Sequence, residues 1–386
     1  MQTKFRALAP SALRWIPRIA LAIIAFSLIA PALPRAVLGD PQTVETQHPQ
    51  LCVHTRLIDE VDEWKIQRSL QMVREMGADT IVEFFPWAYI ETSEGQYNWA
   101  NVDRIVRHAE NQGIQIIARM GFVPAWAQPE ADERTTLNTL PEDRFDEFAD
   151  FVAAFASRYA GIIDRLIIWN EPNLAFEWGY REVSPEGYAR LLAAVYPAAH
   201  AANPNVEILA APLAPNLEPP GSATAMNDLD YLQALYDAGA AANFDALAMH
   251  TYGFTQPAND APAPDRLNYR RAELLREIMV ENDDGDKPVY ITEMGWNDSE
   301  RWAYAVSPSD RIAYTLQAYE TAADWDWAEK VCNWVLRYPY PTYSYPDRFT
   351  LLDTEFQPHP LYNALQAYSR GINIGEALWY PPPAAR

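Results

Sequence analysis

From residue 50 onward the chain alternates short β-branched or apolar runs with longer amphipathic segments, the order expected of parallel strands joined by crossover helices. Eight such runs begin near Cys52, Thr80, Gln115, Ile163, Val206, Asp245, Val289 and Val331. Their spacing of roughly forty residues holds a strand, a loop, a helix and a return loop. Eight units of this kind predict an α/β fold, a single (β/α)8 TIM barrel with long aromatic-rich βα loops.

The helical segments carry their own signals. Phe145, Phe148, Val152 and Phe155 form an apolar stripe after Pro141. Ser184-Pro185-Glu186 and Ser307-Pro308-Ser309-Asp310 each open a helix with a cap, a proline and an early acid. An open doubly wound sheet would carry a glycine-rich phosphate loop after its first strand, and neither GxGxxG nor GxxxxGK[ST] occurs. Nucleotide chemistry is therefore unsupported.

Length changes this picture little, because 386 residues suit two domains or one barrel with long loops. The expected organisation is a secretory signal or N-terminal anchor with a short linker over 1–39, a catalytic barrel over 40–370 and a tail over 371–386. Basic residues precede a largely apolar run from Ile19 to Ala30, followed by small residues at Ala32 and Gly39. This run is short against the roughly 20 residues that cross a bilayer, so export followed by cleavage is the expectation. The first 39 residues hold five basic residues and no acid; without them the chain has 25 basic against 52 acidic residues, a net of −27. Such a surface repels phosphate backbones and anionic lipid head groups, which excludes nucleic acid as a partner.

Cys52 and Cys332 are the only cysteines and fall on the first and last strands, neighbours once a barrel closes. Bonds between adjacent strands need special geometry, so two buried thiols are expected rather than a bridge. The six histidines never take the i, i+3 or i+4 spacing of a helical metal pair, and no metal or cofactor is expected.

Candidate chemistry lies at two strand ends. The fourth run, Arg165-Leu166-Ile167-Ile168-Trp169-Asn170-Glu171-Pro172-Asn173, delivers an amide and a carboxyl as the strand stops. A carboxyl behind four apolar residues is partly desolvated, which raises its pKa and suits Glu171 to act as general acid and base. The seventh run, Lys287-Pro288-Val289-Tyr290-Ile291-Thr292-Glu293-Met294-Gly295-Trp296, also ends in a glutamate. Two glutamates at one height can cleave a glycosidic bond, one protonating the leaving oxygen while Glu293 attacks the anomeric carbon. Trp87, Trp126, Trp178, Trp296 and Trp302 follow predicted strands, as do Tyr338, Tyr340, Tyr343 and Tyr345, and rings of this kind stack on sugar faces.

Strand-four Asn170-Glu171-Pro172, strand-six His250-Thr251-Tyr252 and strand-seven Thr292-Glu293-Met294-Gly295-Trp296, in that order, resemble the retaining glycoside hydrolases of clan A. Trp169-Asn170-Glu171-Pro172-Asn173 is most similar to the β-xylosidase and α-iduronidase family and its exopolysaccharide-hydrolase relatives, then to the cellulase-type family. The resemblance implies that Asn170 bonds the sugar 2-hydroxyl, Tyr252 hydrogen-bonds Glu293, His250 lines the subsite near Glu171, and Trp334 floors it. His54 faces the cleft or packs at the barrel rim. Many clan members place an arginine beside the nucleophile from the second strand, but this strand reads Thr80-Ile81-Val82-Glu83-Phe84-Phe85, leaving Arg56 and Arg119 as available cations. Glu83 is expected as a third acid in the cleft or a partner for Arg119.

The expected activity is hydrolysis of a β-linked oligo- or polysaccharide through a covalent glycosyl-enzyme, in a secreted or cell-envelope protein. The rivals are a transglycosidase on the same site and a non-catalytic carbohydrate-binding barrel.

Overall fold

The computed structural model describes residues 36–129 and 136–372. The barrel belongs to a unit that begins at Leu38. The expected signal core, residues 19–30, and all but the start of the expected tail lie outside the described residues. Among the described residues no helix is long and apolar enough to cross a membrane.

Eight parallel strands close a barrel in sequence order. They are β1 Leu51–His54, β2 Thr80–Pro86, β3 Gln115–Gly121, β4 Arg165–Ile168, β5 Glu207–Ala210, β6 Ala246–Tyr252, β7 Val289–Gly295 and β8 Ala328–Asn333. The helices are α1 Glu63–Met76, α2 Trp87–Ile90, α3 Ala100–Asn111, α4 Phe145–Arg158, α5 Pro185–Ala202, α6 Asp228–Asp237, α7 Arg271–Glu281, α8 Pro308–Ala322 and α9 Pro360–Ser369. All but the single turn α2 complete the strand–helix units. The strand expected from Ile163 starts at Arg165, because the Ile163 N–H closes the preceding turn onto the Tyr159 carbonyl. Strand β8 starts earlier than expected, at Ala328, which is in register with Val289.

The helix signals act locally as the sequence suggests. Ser184 Oγ accepts from the Gly187 N–H at 2.9 Å and Ser307 Oγ from the Asp310 N–H at 3.1 Å. Each cap satisfies an otherwise orphaned donor and contributes about 1 kcal/mol. Phe145, Phe148, Val152 and Phe155 bury their α4 stripe in the large core between sheet and helices.

A second, smaller core fills the barrel: Cys52, Val82, Ile117, Ile167, Leu209, Ala246, Ala248, Tyr290 and Cys332. The two cysteines correct the expectation of free thiols, since Cys52 and Cys332 form a disulfide across the β1–β8 seam. They are direct register partners with Cα atoms 4.1 Å apart, and both belong to the inward-facing cluster. Parallel strands aligned at that row bring both sulfurs to the same place, which sequence distance hides.

Candidate active site

Side chains alternate across a strand, so the inward rows of the barrel core continue toward its C-terminal mouth. Two residues above Cys52 stands His54, above Val82 Phe84, above Ile117 Arg119, above Ala248 His250 and then Tyr252, and above Cys332 Trp334. Active sites of this fold lie at that mouth. The glutamates reach it by breaking the alternation.

On β7 the inward Tyr290 would be followed by Thr292. The pairing with β6 skips a residue, Met249 facing Ile291 and His250 facing Glu293. This irregularity turns Thr292 Oγ1 to the Met249 carbonyl at 3.5 Å and aims Glu293 into the mouth. After β4, Trp169 and Glu171 take left-handed backbone conformations, φ 80° and 40°. Each non-glycine residue in that region costs roughly 1–3 kcal/mol, and the surroundings hold it there. Trp169 N–H donates to the Met120 carbonyl and Glu171 N–H to the Pro212 carbonyl, each at 3.0 Å, while Asn173 ties the following loop to Ala214 and Met226.

One imidazole joins the two carboxyls. His250 Nδ1 is 2.8 Å from Glu171 Oε1, and its Nε2 is 3.7 Å from Glu293 Oε1. The Tyr252 hydroxyl donates to Glu293 Oε2 at 2.7 Å, and Arg119 Nη1 stands 4.0 Å from Glu293 Oε1. Of the two candidate arginines Arg119 is thus the one beside Glu293. Arg56 pairs with Asp59 at 2.6 Å, lies over the Tyr338 ring, and lines the adjoining cavity. Arg119 also donates to Asn170 Oδ1 and lies 4.6 Å from the Phe84 ring centroid.

Burial sets the protonation states. Glu171 is pushed up to about 7 by desolvation, against which Arg119 pulls down. Glu293 is also raised by burial, but His250, Arg119 and the Tyr252 hydrogen bond oppose the rise. Desolvation holds His250 neutral, down to about 4, and keeps Tyr252 a proton donor by raising its phenol well above the ordinary value. His54 is neutral for the same reason; its Nδ1 meets the Thr55 carbonyl at 3.0 Å, leaving Nε2 unpartnered 3.6 Å from Glu293 Oε1. Glu171 can therefore exchange a proton near neutrality, while Glu293 is the carboxyl that its neighbours favour as an anion.

Beside this group lies a cavity of about 210 Å³ lined by Arg56, Asp59, Arg119, Asn138, Asn170 and Glu177, among others. Glu177 went unnoticed in the sequence. Its carboxyl accepts from Asn138 Nδ2 at 2.7 Å and from Asn170 Nδ2 at 3.4 Å, and its backbone carbonyl accepts from Trp169 Nε1 at 2.8 Å. Desolvation first, then Glu171, raises it to about 7. The only sequence cue is an acid in the loop after β4, which is too common to single out.

Trp334 stands half-buried at the mouth with its ring edge-on to Tyr252 and Phe349. Two other expected sugar contacts are corrected. Trp178 is 2 % exposed, packed against Trp169 and Tyr188 with Arg181 over its face. Trp296 is 1 % exposed, donates to the Gln256 carbonyl at 2.7 Å, and occupies the space that a side chain at Gly253 would need. Long βα loops require cores of their own, and these indoles supply them. Glu83 is corrected as well. It lies on the outward row of β2, where Thr55 Oγ1 and the N–H groups of Leu57 and Ile58 donate to it at 2.5, 2.9 and 3.0 Å. It fastens the β1 loop and belongs neither to the cleft nor to Arg119. Among the described residues no cluster of His, Cys, Asp and Glu is arranged to hold a metal ion.

A family model described as beta-galactosidase, glycoside hydrolase family 42, matches residues 58–141, a segment that ends before both glutamates. No curated protein matches the chain. A family 39 glycoside hydrolase from the gut symbiont Bacteroides cellulosilyticus WH2 superposes with a TM-score of 0.66 at 22% identity, covering 86% of this chain and 65% of the other. An exo-β-1,4-mannosidase from Opitutaceae bacterium strain TAV5 gives 0.55 at 15%, covering 90% and 63%. A family 5, subfamily 18 glycoside hydrolase from Bifidobacterium longum subsp. infantis gives 0.61 at 14%, covering 86% and 80%. The shared feature is the fold. This is a (β/α)8 barrel of the kind on which these glycoside hydrolases are built, and the chain spans just under two thirds of the first two.

Proposed function

We propose that the protein is a retaining O-glycoside hydrolase acting on a β-linked oligo- or polysaccharide, with Glu171 as acid and base and Glu293 as nucleophile. The observation that carries this reading is the pair of largely buried glutamates held on either side of His250, with Tyr252 donating to Glu293. The similar structures include an exo-β-1,4-mannosidase and a β-galactosidase, which favours a β-linked substrate.

In the first step a Glu293 oxygen bonds to the anomeric carbon as the glycosidic C–O bond breaks, and Glu171 gives its proton to the departing oxygen. In the second step Glu171, now an anion, takes a proton from water. The resulting C–O bond displaces Glu293 and restores both carboxyls. Arg119 and Tyr252 favour the ionised Glu293 before attack, and Asn170, oriented by Arg119 and Glu177, donates to the sugar 2-hydroxyl, a contact that strengthens at the transition state. An acceptor hydroxyl in place of water would make the same site a transglycosidase.

An extracytoplasmic location belongs to the proposal. The basic and apolar N-terminal segment and the Cys52–Cys332 disulfide both favour an oxidising compartment.

The test is turnover of a panel of aryl β-glycosides by the purified chain, with proton NMR of the first-formed anomer. The β-anomer before mutarotation is expected; the α-anomer would mean inversion and remove the nucleophile role from Glu293. Glu171→Gln should lose roughly 10² to 10⁴ in rate, least with good leaving groups, and Glu293→Gln more and without that dependence. Full activity in Glu293→Gln would overturn the reading.

A further inference from the structure

Beyond the catalytic mouth, the loops after β7 and β8 enclose a second and larger cavity, about 720 Å³, lined by Arg301, Trp302, Tyr343, Ser344, Tyr345 and Arg348, with further polar residues between. Its aromatic rings are unusually available. Tyr343 is 91% exposed and Tyr345 49%, while Tyr340 and Tyr304, 60% and 49% exposed, lie on the same two loops outside its lining. Exposed rings gathered on two adjoining loops mark a binding surface more readily than rings scattered singly.

The loops that carry these rings are held in place. Tyr343 has a left-handed backbone, φ 55°, and Asp347 fixes it by accepting from the Thr342 and Tyr343 N–H groups at 2.9 Å each. Tyr345 stacks on Trp302 with centroids 5.2 Å apart and planes within 18°. Asn297, just beyond β7, donates to the Tyr345 carbonyl at 2.7 Å, and Arg311 of α8 bonds the Phe349 and Thr350 carbonyls, so the two loops are tied together.

A wall of packed rings joins the groove to the mouth. Trp302 touches Phe349 edge-on, and Phe349 in turn touches both Tyr252, the donor to Glu293, and Trp334. Two ring contacts thus separate the groove from the Glu293 partner. Its charges interleave, Asp298, Glu300 and Asp347 against Arg301 and Arg348, with Asp298 paired to Arg311 at 3.4 Å and Asp347 engaged by the backbone. A groove with planar rings, hydrogen-bonding side chains and little net sign fits a neutral polyhydroxylated chain: C–H faces lie on the rings and hydroxyls meet the polar groups.

We propose that this groove binds the part of a neutral β-linked glycan remote from the bond being cleaved, so that the substrate is a chain of several sugars rather than a disaccharide or a simple glycoside. The proposal rests on the glycosidase reading for the placement of the cleaved bond. The rings on Tyr343 and Tyr345 select chain length, and Glu171 and Glu293 perform the same chemistry on whatever is presented.

The experiment compares kcat/KM for an aryl β-glycoside with that for β-1,4-linked gluco-, manno- and galacto-oligosaccharides of two to six units, in the parent protein, Tyr343→Ala and Tyr345→Ala. The parent should gain with chain length. In each variant the ratio of the longest oligosaccharide to the aryl glycoside should fall about tenfold, the size expected when one stacked ring is lost. Tyr343 is almost wholly exposed, so its variant reports on binding even where loss of the Tyr345 stack weakens the loop. A flat chain-length profile, or a variant ratio equal to that of the parent, overturns the proposal. Affinity electrophoresis in gels containing soluble β-glucan or β-mannan reads the groove without catalysis. Retardation that disappears in Tyr343→Ala supports the groove even if no glycoside is cleaved and the hydrolase reading fails; mobility unaffected by either glycan overturns it.

Discussion

Replacing Arg119 by Gln tests the electrostatic design of the site. Its guanidinium is 4.0 Å from Glu293 Oε1, with the two side chains 15% and 11% exposed. At an effective dielectric of about 20, unit charges at that distance attract by about 4 kcal/mol, equivalent to about 3 pKa units at 1.36 kcal/mol each. That is a ceiling, because the Tyr252 hydrogen bond and His250 stay in place and water can enter the space left. A rise of about 1 to 2 units in the Glu293 pKa is the working expectation. The nucleophile must be ionised, so activity falls as pH drops through its pKa, and a raised value moves the acid limb of kcat/KM upward. Arg119 also depresses Glu171, whose acid form is lost above about 7, so the alkaline limb should move upward too. The assay is kcat/KM against pH for an aryl β-glycoside, read as apparent constants of the coupled pair, at low and high salt. An acid limb that stays in place while the rate falls would refute the account, leaving Arg119 as a support for Asn170 rather than for the charge on Glu293.

Other outcomes follow from neighbouring features. Glu177→Gln keeps the shape but gives up one of the two acceptors that hold Asn138 and Asn170, and should lower kcat/KM on aryl glycosides roughly tenfold, the equivalent of one charge-assisted hydrogen bond; an unchanged value would mean that Arg119 alone orients Asn170. The paired change Cys52→Ala with Cys332→Ala removes a link across 280 residues of sequence and should cost about 2–5 kcal/mol, visible as a lower urea midpoint. Equal midpoints for the variant and the oxidised parent would mean that the seam is held by the β1–β8 ladder alone.

Much of the fold was legible in the sequence because its signals are local. Apolar runs, prolines after capping serines and the Phe145 to Phe155 stripe each act within a few residues, and a right-handed crossover leaves little freedom in how eight such units join. Glu171 and Glu293 were legible as acids at strand ends for the same reason: an apolar run ending in a carboxyl marks the height at which it emerges. The aromatic residues were less so. Trp178, Trp296 and Tyr343 all sit in loops after strands, yet the first two are sealed in loop cores and the third stands in water, because enclosure depends on which other loop lies across them.

The sequence by itself determined the closed order of eight parallel strands and the residue types delivered to one end of the barrel, since propensity, periodicity and capping are near-neighbour effects. Tertiary structure decided which way those residues point and what they meet. The skipped register at β7 turns Glu293 inward in place of Thr292, and the left-handed residues after β4 do the same for Glu171. The alternation of β2 sends Glu83 out to Thr55, and the closed seam sets Cys52 beside Cys332. Each outcome rests on contacts between residues far apart in the chain, whose geometry exists only once the barrel has closed.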